Sequence, residues 1–316
     1  MKKQFGMGMD LMWNSPNGFM PTINNFALSP SLKKFLKKNA VHFDHLFFSL
    51  QPRDYDLILN PKRIYEYFKN YDEFLEMTPA LKDNISLHHT FLNMGSMEYY
   101  PREKVAELTN ILIDHYKLKW VNEDLGIWSI KGKNLPYPLP PVLNNEGLKA
   151  SINNVAFYKK NLLTPLYVEF PGFSDGHSFF LGKENAFDFY KMVIEESDAH
   201  AVLDTGHILS YQWILGHKGA ALFDLLEDKL PFDHCKEIHL SGCSIVGDKF
   251  MDFHHGIILD EQLALLKFLI KRCKKLESIT FEDPKFDQSG NLIPKSIANF
   301  KNLQEIAQKW KQNELH

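Results

Sequence analysis

The residues best able to do chemistry fall in one recurring place. His88, Glu123, Glu169, His239 and Glu282 stand in or at the ends of short apolar runs. Asp204 and His207 sit together in LDTGH, and Asp252 and His254 form an Asp-x-His pair. Imidazole nitrogens suit first-row ions such as zinc and iron, while carboxylates bridge such ions and offset their charge. Carboxylates gathered without a cation repel one another and are forced towards protonation. These nine donors therefore predict a site for more than one divalent metal ion. Each residue also has a plainer role when taken alone. A strand histidine can be a hydrogen-bonded core residue, Asp204 a helix cap, and Glu282 a solvated group in FEDP. Capping does not explain ionisable residues at the ends of six successive apolar runs, because core strands seldom carry such groups without partners.

Elements far apart in sequence must bring these positions together. Eight apolar runs read as buried parallel strands: Phe5–Leu11, Phe43–Leu50, Ile85–Leu92, Trp120–Gly126, Leu166–Phe170, Ala199–Thr205, Glu237–Ser241 and Ser278–Glu282. Amphipathic segments lie between them, at Pro101–Tyr116, Glu146–Lys160, Lys183–Glu196, Asp260–Lys274 and Lys295–Lys311. Strand then helix, eight times without a linker, predicts an α/β fold of one domain over residues 1–316, a single (β/α)8 TIM barrel. A doubly wound open sheet is the main alternative. In a barrel the strand ends converge on the C-terminal mouth, where the donors would meet. Ile127–Asn144 is rich in Pro and Gly without clear periodicity and reads as a long loop over that mouth. Asp252 and His254 are expected in the loop after the seventh strand. Gly6-x-Gly8 lacks the third glycine and helix of a phosphate loop and is expected to allow a close backbone approach. No GxSxG elbow supports a serine nucleophile. Cys243 reads as a small buried hydrophobe before a ligand.

Composition narrows the class. The chain has 316 residues, 44% hydrophobic and 24% charged, enough for a full core. A net charge of −3 argues against a nucleic-acid partner, and Lys33, Lys34, Lys37 and Lys38 have the spacing of a solvated helix face. Three cysteines without CxxC spacing fit a reduced compartment. The N-terminal residues lack the apolar core of a signal peptide, and no apolar stretch reaches membrane-spanning length. The expectation is a cytoplasmic protein without a membrane or nucleic-acid partner.

The order Glu169, Asp204-x-x-His207, His239, Asp252-x-His254 thirteen residues later, and Glu282 resembles that of endonuclease-IV-type enzymes within the xylose-isomerase-like barrels. The local words resemble another family of that superfamily, the multinuclear non-haem iron-dependent oxidative enzymes of methanobactin-type biosynthesis. The stretches are GMGMDL, SLHHTFLNMGS, NEDLGIWS, LPYPLPPVLNNEGLKASINNV, LYVEFPGFS, LDTGHILS, EIHLSGCS with MDFHHG, and FEDP. LPYPLP is the most specific, since the wider superfamily has no reason to share it. The chain departs from the family pattern at Asp124 and Cys243, where the family has histidines, at His207, where it often has asparagine, and at Asp10, where it has arginine. It therefore resembles a divergent member.

The resemblance implies two or three iron ions in mixed Fe(II)/Fe(III) states. Glu169, Asp204, His239, Asp252, His254 and Glu282 would be core ligands, and His88, Glu123 and His207 would complete the outer ions. It further implies dioxygen as co-substrate, oxidation at a cysteine of a ribosomally made precursor peptide, and a small separately encoded partner that recruits the peptide leader. The alternatives are a zinc- or manganese-dependent endonuclease-IV-like hydrolase or sugar isomerase of the same barrel class, or a non-catalytic scaffold with a relic barrel. The intact Asp-x-His, His and Glu set weighs against the last.

Overall fold

In a computed structural model, which describes residues 2–9, 29–49, 60–172 and 181–315, eight parallel strands close into a barrel. They are β1 (Gln4–Met9), β2 (His45–Ser49), β3 (Ile85–His88), β4 (Val121–Asp124), β7 (Leu166–Glu169), β8 (His200–Asp204), β9 (Cys235–Leu240) and β12 (Ser278–Glu282). They pair in that order, and β12 returns to β1 with Gly6 opposite Thr280. Each strand coincides with a predicted apolar run; Asp10, Leu11 and Leu50 lie outside the described residues. Helices cover the barrel at Arg102–Tyr116, Asn145–Asn161, Ala186–Ser197, Asp260–Arg272 and Pro294–Lys311. The third starts at Ala186 rather than Lys183, because Asn185 caps it by accepting from the backbone of Phe187 and Asp188. Among the described residues no helix is long and apolar enough to cross a membrane.

Two expectations are corrected. The stretch from Ile127 is not a plain loop: β5 (Ile127–Ile130) and β6 (Lys133–Leu139) form an antiparallel hairpin. Lys131 and Gly132 turn it with φ of 51° and 71°, the positive pair that a tight two-residue turn requires. The prolines of β6 hide it from a strand reading, since proline is tolerated only on an edge strand. Asp252 is likewise not in a loop. It ends β11 (Lys249–Asp252), which pairs with β10 (Cys243–Val246), and it stands opposite Cys243.

Alternate residues of each barrel strand point inward. The pairing register puts His88, Asp124, Glu169, Asp204, His239 and Glu282 on one face near the mouth, with Glu237 and His45 below, and the pairs His88–Glu169 and Glu169–His239 between non-adjacent strands show that this face is the inner one. Gly6 and Gly8 face the same interior. A Cβ on Gly6 would lie 1.7 Å from Cε1 of His45, and one on Gly8 would lie 2.2 Å from Cζ of Phe47. The Phe47 ring is thereby free to sit against His88 and His239, with ring centroids 5.4 Å from each. Gly6→Ala is expected to lower stability by about 3 kcal/mol, at the upper end of overpacking costs, as read by chemical denaturation. An unchanged midpoint would mean that the His45 ring gives way freely.

Candidate metal centre

Four strands meet around Glu169. Its Oε2 lies 3.2 Å from Nε2 of His88 and 3.0 Å from Nδ1 of His239, and that Nδ1 is also 2.9 Å from Oε1 of Glu282. His88, Glu169, His239 and Glu282 thus offer four donor atoms within 4.8 Å of one another. Asp124, Glu169 and His207 form a second such group, and His207, Asp252 and His254 a third. Glu169 belongs to two groups and His207 to two. Oε1 of Glu169 stands 3.5 Å from Nδ1 of His207, while Nε2 of His207 stands 3.2 Å from Oδ2 of Asp252. The carbonyl of Phe170 accepts from Nδ1 of His207 at 2.8 Å. That bond leaves Nε2 as the lone-pair nitrogen, so His207 serves the Asp252–His254 group better than the Asp124 group. His254 sits at φ 47° and reaches Oε2 of Glu282 at 3.7 Å and Oδ2 of Asp283 at 3.2 Å. The three groups form one continuous cluster.

Asp204 has a double role. Its Oδ1 caps the helix Thr205–Ile214, accepting from Gly206 N at 2.6 Å and His207 N at 2.9 Å. Its Oδ2 is buried without a hydrogen bond, as are Oδ1 of Asp124 and Nδ1 of His239. Buried polar atoms are almost always paired, and each orphan left in an apolar barrel costs free energy. Orphans on carboxylates and an imidazole that face one another are what cation ligands look like. The residues fit a multinuclear metal site.

The electrostatics agree. Burial, reinforced by the Glu169 charge, raises Asp124 to about 6. Burial also raises Asp204 to about 7; His207 opposes the rise, while Asp252, Glu282 and Glu169 add to it. Burial would lower His88, but Glu169 more than reverses this and holds it at about 9. His207, His239 and His254 are likewise held above the ordinary histidine range against burial, by the carboxylates around them. Burial would raise Glu237 beneath, but the charge of His239, followed by His45, depresses it. Imidazole protons and metal ions are alternative ways to neutralise the same carboxylates, so metal binding must release protons.

Glu123 is not brought among these donors. It faces outward from the barrel on β4, as its partner Val168 does on β7. Its Oε2 accepts from Leu92 N at 2.6 Å and its Oε1 from Asn93 N at 2.9 Å. Asn93 in turn accepts from Trp128 N and Ser129 N through Oδ1, so Glu123 anchors the β5–β6 hairpin beside the mouth. Asp124, one residue on, takes the inward place. Asp283 and Glu237 also border the cluster without having been singled out, although Glu237-x-His239 is the spacing that puts two residues on one face of a strand. Asp124→Asn is expected to reduce bound metal, whereas Glu123→Gln should leave the metal count unchanged and cost about 1–3 kcal/mol of stability. Elemental analysis with thermal melts separates the two; equal metal loss in both would overturn the assignment.

The family model described as RiPP precursor modification enzyme MbnB/TglH/ChrH matches residues 61–305. Comparison with curated proteins gives no match. Among solved structures, a xylose isomerase domain protein from Planctomyces limnophilus is 10% identical, covers 99% of this chain and 100% of its own, and superposes with a TM-score of 0.50. Endonuclease IV from Thermus thermophilus is 13% identical over 98% of this chain and 99% of its own, with a TM-score of 0.47. D-psicose 3-epimerase from Clostridium cellulolyticum is 12% identical over 99% and 98%, with a TM-score of 0.46. At 10% identity the first of these shows likeness of fold alone.

Proposed function

Since the chain belongs to the MbnB/TglH/ChrH family of RiPP precursor modification enzymes, we propose that it is an iron-dependent oxidase or oxygenase that uses dioxygen to modify a cysteine of a ribosomally made precursor peptide. The observation that carries this reading is the run of three overlapping donor groups joined by Glu169 and His207. Two or three iron ions held there would supply redox equivalents and a Lewis acid able to deprotonate a substrate thiol.

The chain's own residues would do the rest. His88, Glu169, His239 and Glu282 would hold one ion, and His207, Asp252 and His254 a second. Asp124 and Glu169 would hold a third ion, and Asp204 would complete the coordination. Most of these side chains are buried, but His88 is 14% exposed and His254 41% exposed as side chains. A peptide would therefore approach over these two. Glu123 would act by holding the hairpin at the mouth rather than as a ligand. We take the enzyme as one cytoplasmic barrel domain that works with a small separately encoded partner, which recruits the peptide leader.

The test is metal analysis of protein purified without chelator, followed by incubation with Fe(II), dioxygen, a cysteine-containing precursor peptide and its partner protein. An oxidative mass change at cysteine that requires both iron and dioxygen is the expected result. Fewer than one metal ion per chain, or full turnover with zinc under anaerobic conditions, would reject it. Complete modification without the partner would reject the recruitment step alone.

A further inference from the structure

Glu237 lies two residues before His239 on β9, on the same inward face and one layer deeper in the barrel. It is fully buried. Its Oε2 accepts from Trp120 Nε1 at 2.8 Å, and its Oε1 accepts from the hydroxyl of Thr280. The same Oε1 stands 3.3 Å from Nε2 of His239 and 3.5 Å from Nε2 of His45. His239 therefore meets carboxylates at both ends of its ring. Glu169 and Glu282 lie at Nδ1, and Glu237 lies at Nε2. The first two belong to the four-donor group and Glu237 does not.

A carboxylate placed this deep is expensive unless its charge is used. Trp120 and Thr280 are neutral donors that fix its direction. The Phe47 ring flanks His239 and restricts the plane in which the imidazole can lie. An imidazole that gives Nδ1 to a metal carries its proton on Nε2; that nitrogen makes no hydrogen bond here, and Glu237 Oε1 faces it at 3.3 Å, close enough to accept after a small turn of the ring.

We propose that Glu237 is a positioning residue of the metal centre, which accepts the Nε2–H of His239, fixes the ring with Nδ1 towards the ions, and strengthens it as a donor. This rests on the metal reading above. Outer carboxylates behind metal-bound histidines orient the ring, set the tautomer and raise its basicity. A more basic ligand favours the higher charge state of an ion over the lower, so Glu237 would also lower the potential of the ion held by His239. His45, whose Nε2 is 3.1 Å from Oγ1 of Thr280, extends the same polar layer to β2.

The probe is cobalt(II), titrated into the metal-free full chain and followed by its visible absorption. Glu237→Gln keeps the shape and removes the charge. Its affinity for cobalt is expected to fall about 10- to 100-fold, with unchanged stoichiometry at saturation. In iron-loaded protein its potential should rise, by about 59 mV for each tenfold difference between the losses of the two oxidation states. A purely structural role would lower the melting temperature without moving either quantity. If the variant does not fold, wild-type protein labelled with 15N-histidine and loaded with zinc answers the same question. His239 should then appear protonated at Nε2 and metal-bound at Nδ1. Unchanged cobalt affinity and potential in the variant, or the opposite tautomer in the wild type, would overturn the inference. A wild type that binds no cobalt would overturn the metal reading and this inference with it.

Discussion

His239→Ala is expected to abolish modification of the peptide and to remove at least one metal ion per chain. No other imidazole in the four-donor group is so enclosed: His239 is fully buried, and its Nδ1 stands 3.0 Å from Glu169 and 2.9 Å from Glu282. Truncation leaves those two carboxylates and Glu237 facing a hole. Removing one partner from a buried charged set costs about 3–5 kcal/mol, because the remaining charges stay buried without compensation. The variant should therefore melt lower as well as lose metal. Elemental analysis and circular dichroism separate the two effects: a folded chain without its metal is the expected product. Full metal content in folded His239→Ala protein would exclude this histidine as a ligand.

Stripping metal from the wild type is expected to destabilise it strongly. A ligand that binds only the native state stabilises it by RT ln(1 + [L]/Kd), about 4 kcal/mol when its free concentration is about 1,000 times Kd. Two ions would contribute more than one. For a chain of this size the melting temperature should fall by about 10 °C on chelation, and added metal should restore it. The effect has a pH signature. His88 is held protonated until about pH 9 in the absence of a competing cation, so protons compete with metal below that value. Metal affinity should rise as pH increases from 7 towards 9, with proton release seen by calorimetry in buffers of different ionisation heat. A melting temperature indifferent to chelator, or an affinity that falls over this range, would contradict the cluster.

Much of the architecture was legible in the chain itself. All eight barrel strands lie where the apolar runs were read, because a parallel strand covered on both faces is mostly apolar; β4, with three polar residues in four, was legible through its apolar flanks Trp120 and Leu125. The gathering of most of the proposed donors was legible too. Acids and histidines are too costly to bury without partners, so their recurrence at strand ends had few explanations. The hairpins were not legible. Prolines in Lys133–Leu139 read as loop, and the four-residue pair Cys243–Val246 with Lys249–Asp252 is too short to show a pattern.

The linear order of residues settled the succession of strands and helices and the kinds of donors at their ends. Which face each donor took was settled only when the strands paired. Asn122, Glu123 and Asp124 are consecutive and polar, and a strand buried on both sides has no apolar alternation from which to read the phase. Pairing with β7 set it, with Asp124 opposite Glu169 and Glu123 opposite Val168. A shift of one residue exchanges the two faces of a strand, and that shift separates an acid in the donor cluster from an acid that anchors the backbone beside it.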